Sequence, residues 1–143
     1  MFELVRGLRA SRVVIGSGRD EVCVTAGDAL AERLRLARTV DVGRVTWPGE
    51  AASWLKHTER MVSEADAWVL LDHLGGTAQV LHRLAARPGW RPDRTVVWSA
   101  LARPLLLTLF RPGTLDGLRG TRVDGSIWQV RHGHVHPLDK EHR

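Results

Sequence analysis

Between Glu64 and Leu81 the chain reads EADAWVLLDHLGGTAQVL. Within it DAWVLLD is a continuous apolar run, and Asp66 to Leu71 has the length of a strand, not of a helix. Such a run suits an interior parallel strand covered on both faces. It lies between two helical patterns. EAASWLKHTERMVSEA precedes it, with Ala51, Trp54, Leu55, Met61 and Val62 on or near one face. TAQVLHRLAAR follows it and stops at Pro88-Gly89. A buried strand between two amphipathic helices is the repeating unit of a layered α/β domain.

The rest of the chain repeats this alternation. SRVVIGSGRDE gives a strand over Arg12 to Ile15, ended by Gly16-Ser17-Gly18, and DEVCVTAGD suggests a short strand over Val22 to Val24. Thr25 with Asp28 reads as a helix start, and Ala26, Leu30, Leu34 and Ala37 recur at helical spacing behind it. TVDVGRVTW and RTVVWSAL are further strands, and PLLLTLF a short helix with Pro104 in its first turn. Asp124-Gly125 in the tail is a hairpin signal. The predicted fold is α/β: a Rossmann-like three-layer α/β/α sandwich with a mostly parallel sheet and a C-terminal hairpin. At 143 residues, one domain over 1–143 is expected.

The single cysteine, Cys23, rules out an intrachain disulfide and excludes a cysteine-based zinc site. It reads as an inert, buried thiol. No cofactor and no metal are expected. No signal-peptide pattern is evident, and the longest apolar run, LLLTLF over Leu105 to Phe110, is too short to span a bilayer. A cytoplasmic protein without a membrane partner is therefore expected. The net charge of +5 and pI near 10.9 favour an anionic partner, or reflect only an arginine-rich composition.

Ligands of open parallel sheets sit beyond the carboxyl ends of the strands. Two glycine-bearing corners fall there: Gly16-Ser17-Gly18-Arg19 and Gly75-Gly76-Thr77. Glycine admits close backbone approach, and a helix N-terminus offers free N–H groups to an anion. Both corners are thus candidate phosphate-binding residues. The plainer reading is a tight strand-to-helix turn with Thr77 as its cap.

Three other groups deserve weighing. His132, His134 and His136 alternate, which on a strand points all three to one side, yet spaces them too widely for one ion. Arg83, Arg87, Arg91 and Arg94 around Trp90 resemble a nucleic-acid grip, although a solvated helix end anchored by the tryptophan is the preferred reading. Trp47, Trp68 and Trp98 lie within or at the ends of strands, as core or pocket-wall residues.

The stretch ERMVSEADAWVLLDHLGGTAQVLHRL resembles the core of the LOG-type, lysine-decarboxylase-like Rossmann family of nucleoside monophosphate phosphoribohydrolases. Met61, Ala65, Asp66, Ala67 and Trp68 match its first part, and Leu71, Gly76, Thr77 and Leu81 its P-G-G-x-G-T-x-x-E part. Asp72, His73 and Leu74 stand where the family has Pro-Gly-Gly, Val80 where it has the catalytic glutamate, and His57 where it has the helix arginine. The resemblance implies a nucleotide or other phosphorylated small molecule as partner, and a homodimer formed through the helix from Glu50 to Ala65. It leaves two functions open. One is a divergent N-glycosidic-bond hydrolase, with Asp72 as a substitute carboxylate and His73 or His57 as base or phosphate partner. The other is a non-catalytic nucleotide-sensing or protein-interaction module.

Overall fold

The computed structural model describes residues 1–37, 40–47, 54–98, 107–122 and 124–138; the side chains of residues 54–57, 74 and 75 also lie outside the description. The elements run α1 (Phe2–Gly7), β1 (Arg12–Ser17), α2 (Glu21–Ala37), β2 (Asp41–Thr46), α3 (Trp54–Glu64), β3 (Ala67–Leu71), α4 (Leu74–Ala85), a 3-10 turn (Pro92–Arg94), β4 (Thr95–Val97), β5 (Arg119–Thr121), β6 (Ile127–Arg131) and β7 (His134–Leu138). The strands form one seven-stranded sheet in the order β2-β1-β3-β4-β5-β6-β7. Neighbours from β2 through β5 are parallel, and β6 and β7 are antiparallel additions. The expected three-layer sandwich with a mostly parallel sheet and a C-terminal hairpin is what the chain forms.

Alternation along the strands divides the core in two. Val13, Ile15, Ala67, Val69, Leu71 and Val96 pack with Val5 of α1, Leu8 just after it, and Leu30, Ala31 and Leu34 of α2. On the other face, Val14, Trp68, Leu70 and Val97 pack with Met61 of α3 and with Leu81 and Leu84 of α4. Burial on both faces is why Ala67–Leu71 needs an unbroken apolar run. At the amino end of the sheet, the Asp66 carboxylate accepts the Ser11 and Arg12 N–H groups at 3.0 and 2.9 Å. The same side chain pairs with Arg94 at 3.6 Å.

Two local expectations fail for one reason. Residues 22–24 are helical, and α2 begins at Glu21 instead of near Thr25. Asp20 starts the helix, its Oδ1 accepting the Val22 N–H at 2.8 Å. The apparent Val22/Val24 alternation is too short to outweigh that cap. In the tail, Asp124-Gly125 does turn β5 into β6, with Gly125 at φ 85°. A second turn through His132 and Gly133 joins β6 to β7. His132 therefore sits in a turn at φ 51°, and only His134 and His136 share a strand face. PLLLTLF lies mainly outside the described residues, with Leu107 and Thr108 helical.

The homodimer expectation is also corrected. Met61 is buried and Val62 packs against the same cluster, so the described apolar side of α3 is spent on its own sheet.

Candidate functional site

The carboxyl ends of β1 and β3 bring both glycine corners to one rim. Gly16 and Ser17 end β1, and the Gly18 N–H extends the ladder by donating to the Leu71 carbonyl at 3.2 Å. Arg19 is exposed beside them. The Ser17 hydroxyl accepts from the Arg44 guanidinium at 2.7 Å. Across the rim, β3 runs into Asp72 and His73, and α4 starts at Leu74 with Gly75 and Gly76 in its first turn. Thr77 is not the cap. It is fully buried in the second turn, its N–H on the His73 carbonyl at 3.0 Å, and its hydroxyl lacks a hydrogen-bond partner. The side chain of His57 falls outside the described residues, although its backbone belongs to α3.

The feature that decides the chemistry is Asp72. Trp47 Nε1–H donates to its Oδ2 at 2.8 Å and the His73 N–H to its Oδ1 at 2.7 Å. The carboxylate is held between the two glycine corners. A Cβ built on Gly18 would come within 2.5 Å of Asp72 Oδ1, and one built on Gly76 would overlap Oδ2. Glycine at these two places makes room for the chain's own carboxylate. A phosphate seeking the same cradle would have to displace it and would meet a second negative charge. Asp20, at the start of α2, supplies a third obstacle: its carboxylate already holds N–H groups of that helix.

Asp20, Cys23 and His73 gather at this rim, their ligating atoms all within 4.8 Å of one another. His73 Nε2 lies 3.4 Å from Asp20 Oδ2. The bond from the Val22 N–H, followed by the contact with His73, holds the Asp20 carboxyl below its ordinary range. Burial, with the Asp72 and Asp20 charges added, pushes the Cys23 thiol up to about 11. Cys23 is thus a protonated thiol at neutral pH. Alkylation by iodoacetamide is expected to be far slower than that of free cysteine at pH 7, and to rise about tenfold per pH unit toward that value. A rate matching free cysteine at pH 7 would contradict the assignment.

Beside the rim, a cavity of about 280 Å³ opens at the ends of β3, β4 and β5. Leu71, Trp98 and Thr121 form its floor, one from each strand end. Phe2 of α1 and Leu30 and Arg33 of α2 contribute to its walls. The Arg33 guanidinium carbon lies 4.1 Å from the Phe2 ring centroid, a cation–π contact that orients the head group. Trp98 is therefore a pocket-wall residue, as its position after a strand suggests. Arg33 has no motif around it, because the elements that complete its surroundings are far apart in sequence. Cys23 did carry a signal: Asp20 stands three residues before it, one helical turn away.

The arginine cluster around Trp90 is engaged within the fold. Arg87 pairs with Glu59 at 3.0 Å, Arg91 with Asp93 at 2.6 Å, and Arg94 donates to the Asp66 carbonyl at 2.6 Å. Trp90 packs into the α3–α4 side of the core, as the anchor reading requires.

No protein-family model and no curated protein sequence matches the chain. Solved structures do share its fold. One is described as a branched-chain amino acid ABC transporter from Rhodospirillum rubrum, with TM-score 0.68 and 19% identity over 83% of this chain and 34% of that one. A leucine-binding protein from Thermotoga maritima has TM-score 0.66 and 14% identity, over 83% of this chain and 35% of that one. An ABC transporter substrate-binding protein from Sphaerobacter thermophilus has TM-score 0.61 and 17% identity, over 82% of this chain and 33% of that one. The chain spans about a third of the length of these proteins. The LOG-type resemblance is thereby corrected: the neighbours are transport and leucine-binding proteins, and the short shared motif reflects a common strand–turn–helix corner. The nucleotide partner and the glycosidic hydrolase fall with it, since Asp72 fills the corner and Val80, in place of the glutamate, is buried. What the comparisons establish about this chain is its fold alone, an α/β domain with a mostly parallel sheet shared with these structures.

Proposed function

We propose that this protein is a non-catalytic binding module that takes an amino-acid-sized ligand with an apolar side chain. The observation that carries the reading is the cavity at the ends of β3, β4 and β5. Its place is the ligand-binding end of an open parallel sheet. Its walls are mostly apolar, with the Arg33 guanidinium to pair a carboxylate and the Thr121 hydroxyl as a second polar group. Its volume suits a small metabolite better than a nucleotide. The neighbours described as leucine-binding and branched-chain amino acid proteins support the same ligand class.

Titration calorimetry with L-leucine is the test. Binding is expected in the wild type. Arg33→Gln removes one charge-assisted contact of about 1.5–3 kcal/mol and should weaken binding about ten- to hundredfold. Absence of heat at millimolar leucine, or equal affinity in the variant, overturns the reading. Incubation with AMP is expected to leave it intact; rapid release of adenine would show an enzyme instead.

A further inference from the structure

We infer that Asp20, Cys23 and His73 form a transition-metal site suited to Zn²⁺ or Co²⁺. The reading is independent of what the Arg33 cavity binds.

The three side chains come from two elements that meet only in the fold. Asp20 and Cys23 lie one turn apart at the start of α2, and His73 precedes α4 at the end of β3. Their ligating atoms lie within 4.8 Å of one another. Metal bonds of about 2.0–2.3 Å in a tetrahedron set ligand atoms about 3.3–3.8 Å apart. The 3.4 Å between His73 Nε2 and Asp20 Oδ2 already matches one edge. The exposed imidazole can rotate to close the distance to sulfur.

The arrangement also has the support that metal ligands need. Asp20 divides its oxygens: Oδ1 accepts the Val22 N–H, which orients the group and leaves Oδ2 toward His73. Cys23 is buried, whereas its two partners are exposed and keep freedom to move toward a shared ion. A sulfur, imidazole and carboxylate set selects borderline metals over Mg²⁺ and Ca²⁺, which prefer oxygen. Three protein ligands leave a fourth position open to water or another donor. On binding, the Cys23 S–H proton passes to solvent and the thiolate takes its place on the metal.

Because Cys23 is the only cysteine, a thiolate-to-metal signal reports on this site alone. Titration of the whole chain with Co²⁺ is expected to give a near-ultraviolet thiolate-to-cobalt charge-transfer band with visible tetrahedral bands, all removed by added Zn²⁺. The histidines of the β6–β7 turn and β7 cannot produce the charge-transfer band. Cys23→Ser should abolish it. His73→Ala changes an exposed side chain and leaves the core intact. It should weaken Co²⁺ binding at least about 100-fold, since loss of supporting groups alone costs 10- to 100-fold. Asp20→Asn keeps a capping side chain but loses the charge, and should weaken binding at least about tenfold. No charge-transfer band at millimolar Co²⁺ overturns the proposal. So does a band of unchanged strength and affinity in folded His73→Ala.

Discussion

Trp68→Ala is expected to lower the unfolding free energy by about 3–5 kcal/mol. That is a large share of the roughly 5–15 kcal/mol that holds a domain together. Trp68 lies on β3 between β1 and β4, with the side chain fully buried among Met61, Leu81 and Leu84. Its Nε1–H donates to the Met61 carbonyl at 2.8 Å. Met61 is in the last turn of α3, where carbonyls have no partner within the helix. The indole therefore fills the layer between sheet and helix and also satisfies a helix end. Truncation leaves a cavity and an orphaned acceptor together. Trp68→Phe keeps most of the volume and should cost less, with about 1 kcal/mol of its loss from the missing hydrogen bond. Urea denaturation separates the two. A cost below about 1 kcal/mol for Trp68→Ala would mean that the layer relaxes around the gap.

Gly120→Ala should cost about 1–3 kcal/mol by overpacking. Gly120 faces Trp128 directly across the β5–β6 ladder. The indole lies over the glycine so closely that an alanine Cβ would stand 2.5 Å from Cε2 and overlap the neighbouring ring carbon. Trp128 is fully buried and has nowhere to retreat. Replacing it by leucine in the Gly120→Ala background should make the two changes non-additive, the double variant losing less than the sum. Additive losses in a thermodynamic cycle would show that the glycine's role lies elsewhere.

These two contacts show what the sequence disclosed and what it hid. The interior strand expected over Asp66 to Leu71, and found over Ala67–Leu71, was legible because burial on both faces demands an unbroken apolar run. The β5–β6 turn was legible because Asp124-Gly125 sits where Gly125 needs a positive φ. The start of α2 was misread, since a polar cap at Asp20 competes with two valines that mimic strand alternation. The rim was legible as a place, and its chemistry was not. Glycines at 18 and 76 look the same whether they admit a phosphate or a neighbouring carboxylate, and only tertiary structure reveals Asp72 between them. The same limit hid Arg33 beneath Phe2 and Cys23 beside His73, pairings made across 31 and 50 residues of chain.

The order of the strands has a consequence for how the protein comes into being on the ribosome. After β1 and β2 have paired, β3 adds to the free side of β1, and each later strand adds to the one made just before it. No strand after β2 has to be inserted between two that already exist. The growing edge always belongs to the newest strand, so the sheet can extend at the pace of synthesis, with short loop closures at each hairpin. The long crossovers come early and the local turns at Asp124-Gly125 and His132-Gly133 come last. Once β5 is in place, β6 and β7 are each added through a local hairpin, an event of about microseconds.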